Sequence, residues 1–361
     1  MSRPNILLIT TDQQHFDTLG IDNPRIHTPN LDRLARQGTL FDRAYCSNPV
    51  CSPARSSILT GLYPAWHHCW TIGVKLPEDV PTVTDALANA GYDTTLVGKA
   101  HFQPTASIPG SESIECHPVL RDMDFWRSFH GPWYGFTHVE TGRMHADEHL
   151  VGQHYAIWME QQGLRNWADY FAPWPPNPSA NKRRHHWDLP EQFHHTAWVG
   201  RRTIANIDRC VQADEPFFLW SSFFDPHPPY LVPEPWASMY NPDDMVPGHL
   251  DPGELEHLAV HFRMTQQKHP DFSGYHETFT SHGYTSHLIE DAELRKNIAI
   301  YYGMISFIDQ QIGLILDRLD QLGIADNTLI LFTTDHGHFL GQHGLIAKGG
   351  FHFAEIGRAH V

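Results

Sequence analysis

The chain has 361 residues, 41% of them hydrophobic, with 25 Lys and Arg against 41 Asp and Glu, a formal charge of −16. The apolar supply is ample for a large core, and the acidic excess argues against a nucleic-acid or anionic-membrane binder, while leaving room for a small anionic substrate in a local basic pocket. Five cysteines without a Cys-x-x-Cys pair exclude a disulfide framework or structural zinc site as the first expectation, and 28 histidines are an unusual store of metal ligands and proton carriers.

The start, "MSRPNILLITTDQQ", passes almost at once into an apolar run. It has no signal-peptide pattern, and no stretch of about 18 apolar residues follows, so a cytoplasmic protein without membrane partners is expected. "NILLITT" (5–11) reads as a buried parallel strand ending at Asp12. "TPNLDRLARQG" (28–38), "SPARSSILTG" (52–61) and "TVTDALANAG" (82–91) read as helices, the second with Pro53 in its first turn and Gly61 as its stop. "YDTTLVG" (92–98) is a strand.

From about 104 to 190 the chain is rich in Trp, His and Pro, and no periodicity survives. A long irregular insertion that shapes a substrate pocket is expected, with the aromatics of "FHGPWYGF" stacking on a ring and Lys182, Arg183 and Arg184 near an anion. A helix around 191–212 and a strand at 216–224 follow, then a second irregular stretch over 233–285. "DAELRKNIAIYYGMISFIDQQIGLILDRLDQLG" (291–323) is a long amphipathic helix, and "TLILFTTD" (328–335) a strand that again ends on a carboxylate. Alternating strands and helices predict an α/β fold, a doubly wound, mostly parallel sheet flanked by helices. One catalytic domain over 1–355 is expected. "IGRAHV" (356–361) matches one reading frame of a common sequencing adapter and is expected to be a non-native tail.

Ligands in such sheets bind beyond the strands' C-terminal ends. Four strand ends here carry ionisable residues: Asp12, Lys99 with His101, His227, and Asp335 with His336. Either aspartate alone would be read as capping the next helix. Both together, beside His336 and the histidine-dense "DHGHFLGQHG", favour a hard cation. Lys99, His101, His227 and Lys348 around them describe a metal-assisted site for a tetrahedral oxyanion such as sulfate or phosphate. Cys51 at a helix start has a lowered pKa and lies one turn before Arg55, so a thiol nucleophile is conceivable. A bare thiolate beside a hard cation is nevertheless a poor chemical match. Cys46 has no such context and is expected to be a small buried thiol.

Cys-x-Pro-x-Arg at 51–55, the trailing "SSILTGLYP", "GKAHF" at 98–102 and "TTDHGHFLGQHG" at 333–344 occur in the order and form of the type I sulfatases, within the alkaline-phosphatase superfamily, which this chain resembles over about 5–105 and 190–350. The resemblance implies a sulfatase-like fold with a small C-terminal subdomain that is absent here. It implies that a maturation enzyme converts Cys51 to formylglycine, and that the hydrate of this aldehyde attacks the sulfur of a sulfate ester beside a calcium ion. Asp12, Gln13, Asp335, His336 and the group derived from Cys51 would hold the metal. Arg55 would hold the diol, Lys99 the sulfate oxygens, His227 and Lys348 would protonate the leaving alcohol, and His101 would be the base that expels sulfate.

There are three departures. Gln13 stands where many relatives have a second Asp, a feature shared with phosphonate-monoester hydrolases and choline-sulfatase-type enzymes. His336 stands where Asn is frequent. Ile72 stands where many carry an Asn, leaving a sulfate donor to come from His67, His68 or Thr71. The expected function is hydrolysis of an organic sulfate monoester, with a carbohydrate sulfate preferred. The alternatives are phosphonate-monoester or phosphodiester hydrolysis and non-catalytic binding of a sulfated ligand.

Overall fold

The structure is a computed structural model and describes residues 3–104, 112–143, 150–171, 185–271, 287–348 and the backbone of 356–360. The strands are β1 (Asn5–Thr11), β2 (Leu40–Tyr45), β3 (Asp93–Lys99), β4 (His138–Gly142), β5 (His185–His186), β6 (Phe217–Ser222), β7 (Leu231–Val232), β8 (Thr328–Thr334) and β9 (Ile356–His360). The helices are α1 (Pro29–Gln37), α2 (Cys51–Thr60), α3 (Pro64–His67), α4 (Val83–Asn89), α5 (Met123–Ser128), α6 (Gln153–Gln161), α7 (His195–Ala213), α8 (Val260–Thr265) and α9 (Asp291–Gln321).

One sheet has the order β2-β9-β8-β1-β6-β3-β4, and its five strands from β8 to β4 run parallel. Such a sheet needs cover on both faces. Leu7 and Ile9 of β1 point into a cluster with Trp198, Val199 and Ile207 of α7 and Ile308, Ile312 and Ile315 of α9. Leu8, one residue out of phase, points the other way, among Leu59 of α2, Leu96, Trp220 and Phe102. An apolar run without alternation is therefore what β1 requires. Helix α9 is the one described helix long and apolar enough to cross a membrane, but most of it is buried inside the protein. Its place is the core.

Two expectations need correction. The stretch 104–190 is not simply an irregular cover, because it supplies the edge strand β4 and the helix α6. Seven consecutive residues of α6, Gln153 to Met159, are buried, so no polar face was there to mark a helical period. Trp133, Tyr134 and Phe136 also do not present themselves for stacking. They pack into the core around Phe102 and Trp220. Lys182, Arg183 and Arg184 lie outside the described residues. Strand β2, largely exposed, was not legible in sequence, and β9 pairs antiparallel with both β2 and β8.

The buried carboxylate of Glu140 joins β4 to α7. It accepts from Arg202 Nε at 2.6 Å, Arg202 Nη2 at 2.8 Å and Asn206 Nδ2 at 2.9 Å. Burial alone would raise its pKa, but the Arg202 bonds outweigh burial and hold it well below the usual carboxylate range. Its contribution is thus present above the unfolded value of about 4.3 and is lost as pH falls through the folded value. Glu140→Gln should cost about 3–5 kcal/mol at neutral pH, as for other broken buried pairs. In urea denaturation the gap to the parent should narrow at pH 3.

Candidate active site

Level strand ends bring the ionisable residues to one rim. Thr11 pairs with Thr334, so Asp12 and Asp335 leave the sheet side by side. Thr10 and Gly98 both pair with Ser222, which brings Lys99 to the same edge. Gly98 adopts a φ of 104°, and a Cβ there would lie 1.9 Å from Ser222 O, so only glycine lets β3 approach β6 this way. Two buried carboxylates at one edge need compensation. Lys99 Nζ pairs with Asp12 Oδ2. Asp335 Oδ1 accepts the backbone N–H of Gln13 at 3.0 Å and of His336 at 2.9 Å, and Arg55 Nη1 lies 3.3 Å from Asp335 Oδ2.

Helix α2 delivers the other half of the site. Gly61 ends it in the left-handed region (φ 71°), and its first residue is Cys51, so the thiol sits where helix N–H groups favour negative charge. Lys348 Nζ is 2.8 Å from Cys51 Sγ, His336 Nε2 is 3.2 Å away and Asp12 Oδ1 3.7 Å. Burial and Asp12 disfavour the thiolate, but Lys348, Lys99 and His336 outweigh them, and the thiol pKa falls below its ordinary value. Burial disfavours charged His336, but Asp335 prevails and raises it to about 9. Burial likewise opposes the Lys348 ammonium, and Cys51, Asp12 and Asp335 more than offset it.

Asp12, Cys51, Asp335 and His336 place their ligand atoms within 4.8 Å of one another, all buried. Gln13, at a φ of 66°, is also buried, and neither its Oε1 nor its Nε2 has a hydrogen-bond partner. An unpaired buried amide is costly, and a cation held between the two carboxylates would satisfy the oxygen. The clustered donors of Asp12, Asp335 and His336 fit a divalent cation, and Gln13 follows Asp12 directly in the chain.

Arg55 has a structural role beside the one expected of it on the diol. Its Nε donates to Ala100 O at 2.7 Å, its Nη2 to Lys99 O and Ser222 Oγ, and its Nη1 faces Asp335. Fully buried, with Trp220 against it at 5.3 Å, it clamps the ends of β3, β6 and β8 to α2. The histidine-dense loop also divides its labour. Only His336 joins the cluster. His338 Nδ1 accepts the N–H of Leu340 at 2.8 Å and its Nε2 lies 2.7 Å from the Tyr230 hydroxyl, which sets the loop that carries Lys348. His343 pairs with Glu254 at 3.0 Å.

His101 is held in a left-handed conformation (φ 59°), with its N–H donating to Glu115 Oε1 at 2.7 Å. Its ring meets a residue that the sequence reading missed. Lys99 pairs with Gly142, so Arg143 emerges from β4 beside it, buried, with Nη2 3.2 Å from His101 Nε2 and Nη1 3.9 Å from Glu115 Oε1. A guanidinium only donates, so His101 Nε2 accepts and the ring is neutral. A short alternating run ended by a basic residue, "HVETGR", was the available signal. His227 is half-buried two residues beyond Asp225, whose carbonyl accepts Asp12 N–H at 3.1 Å, and its Nδ1 is 2.6 Å from Pro228 O. Cys46 is half-buried rather than buried, on a cavity of about 220 Å³ behind α2.

A family model described as Sulfatase matches residues 4–115 and 143–357. An arylsulfatase of Clostridium perfringens is 30% identical over 356 residues, covering 96% of this chain and 66% of that protein. The multifunctional alkaline phosphatase superfamily protein PehA of Trinickia caryophylli is 30% identical over 97% of this chain and 66% of its own length. The crystal structure of the phosphonate monoester hydrolase of Agrobacterium radiobacter superposes with a TM-score of 0.73 at 28% identity, covering 99% of this chain and 67% of that one. The chain thus spans just under two thirds of the curated relatives it matches.

Arg55→Ala leaves Asp335 uncompensated in a dry site and should cost about 3–5 kcal/mol. The difference should appear in urea denaturation before any substrate is added. A loss below about 1 kcal/mol, the scale of an exposed pair, would refute the clamp.

Proposed function

The chain belongs to the sulfatase family, and on that footing we propose that it hydrolyses an organic sulfate monoester to an alcohol and sulfate, using formylglycine made from Cys51 by a maturation enzyme. The observation that carries the reading is the position of Cys51: first residue of a helix, in contact with Lys348 and His336, beside the paired carboxylates. A divalent cation held by Asp12, Gln13, Asp335 and His336, with calcium as the family's choice, would supply Lewis acidity toward a sulfate oxygen.

Residue 51, as an aldehyde hydrate, carries two hydroxyls on one carbon. One hydroxyl, its proton released to solvent, would attack sulfur while the bond from sulfur to the leaving alcohol breaks. In-line displacement places that alcohol on the far side of sulfur from residue 51. Lys348, which touches position 51, therefore stabilises the attacking side, and the half-buried His227 at the rim donates the proton to the alcohol. Lys99 holds Asp12 Oδ2 and offers its charge to the sulfate oxygens. The second hydroxyl then gives its proton to neutral His101, the carbon–oxygen bond to sulfate breaks, and the aldehyde returns. Arg143, which donates to His101 Nε2, favours the neutral ring and yields that lone pair as the proton arrives.

A saccharide sulfate is the preferred substrate class. Tyr63, Trp66 and Trp70, exposed by 70%, 72% and 65%, offer ring faces on the segment after α2 that suit a sugar better than the buried 133–136 aromatics do. A cytoplasmic location belongs to the same reading. Phosphonate-monoester or phosphodiester hydrolysis is the second reading, favoured by Gln13 and by the likeness to the Agrobacterium radiobacter enzyme.

Protein co-expressed with a maturation enzyme should release alcohol from an aryl sulfate, lose that turnover to a chelator, and regain it with calcium. Turnover of an aryl phosphonate alone would overturn the sulfatase reading. Cys51→Ala should abolish turnover, while Cys46→Ala should leave kcat within about twofold, since a surface-side change rarely exceeds half a kcal/mol. Mass spectrometry of the peptide carrying residue 51 should show the aldehyde.

A further inference from the structure

The site as encoded, before any conversion of Cys51, is a different metal site from the one the matured protein uses. Its donors are a thiol sulfur, an imidazole nitrogen and two carboxylate oxygens. Calcium takes six to eight oxygen ligands, and sulfur is not among them. A tetrahedral zinc-type ion does take S, N and O together, and bonds of about 2.0–2.3 Å put its ligand atoms roughly 3.3–3.6 Å apart. Here Cys51 Sγ is 3.2 Å from His336 Nε2 and 3.7 Å from Asp12 Oδ1. His336 Nε2 is 3.6 Å from Asp12 Oδ1 and 3.6 Å from Asp335 Oδ1. Those separations are close to a tetrahedron's edges.

Each donor is also oriented from behind, as metal ligands are. His336 Nδ1 lies 3.1 Å from Gly337 O, which keeps a proton on Nδ1 and turns Nε2 inward. Asp12 is held through Oδ2 by Lys99, leaving Oδ1 toward Cys51. Asp335 is held through Oδ2 by Arg55 and through Oδ1 by the N–H groups of Gln13 and His336, which fix the carboxylate in place. Gln13, next in the chain to Asp12, has a buried amide oxygen with no hydrogen-bond partner.

We propose that the unmodified chain binds one thiophilic divalent cation of the zinc class through Cys51, His336, Asp12 and Asp335, and that conversion of Cys51 switches the same pocket to a hard cation by exchanging sulfur for oxygen. Binding replaces the Cys51 thiol proton and the proton carried by His336 Nε2, and both go to solvent. Lys348 Nζ, 3.1 Å from His336 Nε2, gives way at that atom, because one lone pair serves one partner. A zinc-loaded precursor therefore has its reactive sulfur capped. The proposal deepens the metal reading above and stands apart from which ester is cleaved.

The test uses the full chain expressed without a maturation enzyme, metal-free, with residue 51 shown by mass to be cysteine. Cobalt(II) as a zinc surrogate should give a sulfur-to-metal charge-transfer band and the visible bands of a tetrahedral ion at one equivalent. Zinc should abolish both, and a large excess of calcium neither. Zinc should slow alkylation of Cys51 by iodoacetamide about tenfold or more, as mass action requires of a tightly bound ligand, a readout that needs no variant. Cys51→Ser should lose the charge-transfer band, and Cys46→Ser should keep it. Cobalt binding without the sulfur band, equal zinc affinity in Cys51→Ser, or displacement of zinc by calcium would each overturn the proposal. Matured protein inactive on every sulfate ester would sink the sulfatase reading, while the cobalt spectra of the unmodified chain would still decide the metal switch.

Discussion

Two carboxylates, Asp12 and Asp335, are held side by side in a place that water does not reach, and the rest of the site is a response to that constraint. Like charges in a medium of low dielectric repel strongly and lose their hydration, so each must be compensated close at hand. Lys99 does this for Asp12, while Arg55 and two backbone N–H groups do it for Asp335. A divalent cation would compensate both at once. The register of β1 against β8 fixes the pair, and the close passage of β3 past β6 at Gly98 brings the lysine.

The same constraint explains why so much of the surrounding structure is polar yet buried. Arg55 directs its donors to the carbonyls that end β3 and to Ser222, so it joins helix to sheet as well as charge to charge. Asp225 ties the turn before His227 to Asp12 through its carbonyl, and its side chain accepts from Thr196 at 2.8 Å, with His194 and His195 packed against it. His194 Nδ1 accepts Thr196 N–H at 3.2 Å, so this second His–His–Asp group braces the start of α7 against the turn before His227. His338 plays the equivalent part for the loop that ends at Lys348. Much of the histidine excess near the rim is thus architectural, and His336 is the one of these that meets the cation pocket.

Strand β1 was legible because a strand buried on both faces must be apolar throughout, and β8, though only partly buried, has a similar apolar run; the carboxylate after each stands out against it. Helix α9 was legible by its length and period. Strand β2 was not, since an exposed strand has no apolar signature, and α6 was not, since burial on every side erases the period. With β4 hidden inside what read as an irregular insertion, Arg143 had no strand end to announce it, although the register of Lys99 against Gly142 puts it beside His101.

The sequence by itself determined the chemistry on offer: which residues end the apolar strands, which cysteine opens a helix, and the motif order that marks the sulfatase family. Those are properties of short contiguous stretches, where period and residue type act locally. Only the tertiary structure decided how the charges are paired. It made Arg55 a clamp between helix and sheet, sent the 133–136 aromatics into the core, put Arg143 behind His101, and set four donors, Cys51 among them, within 4.8 Å of one another. Each of these depends on strands far apart in the chain lying level with one another, and register is fixed by packing and backbone hydrogen bonds rather than by any one segment's composition.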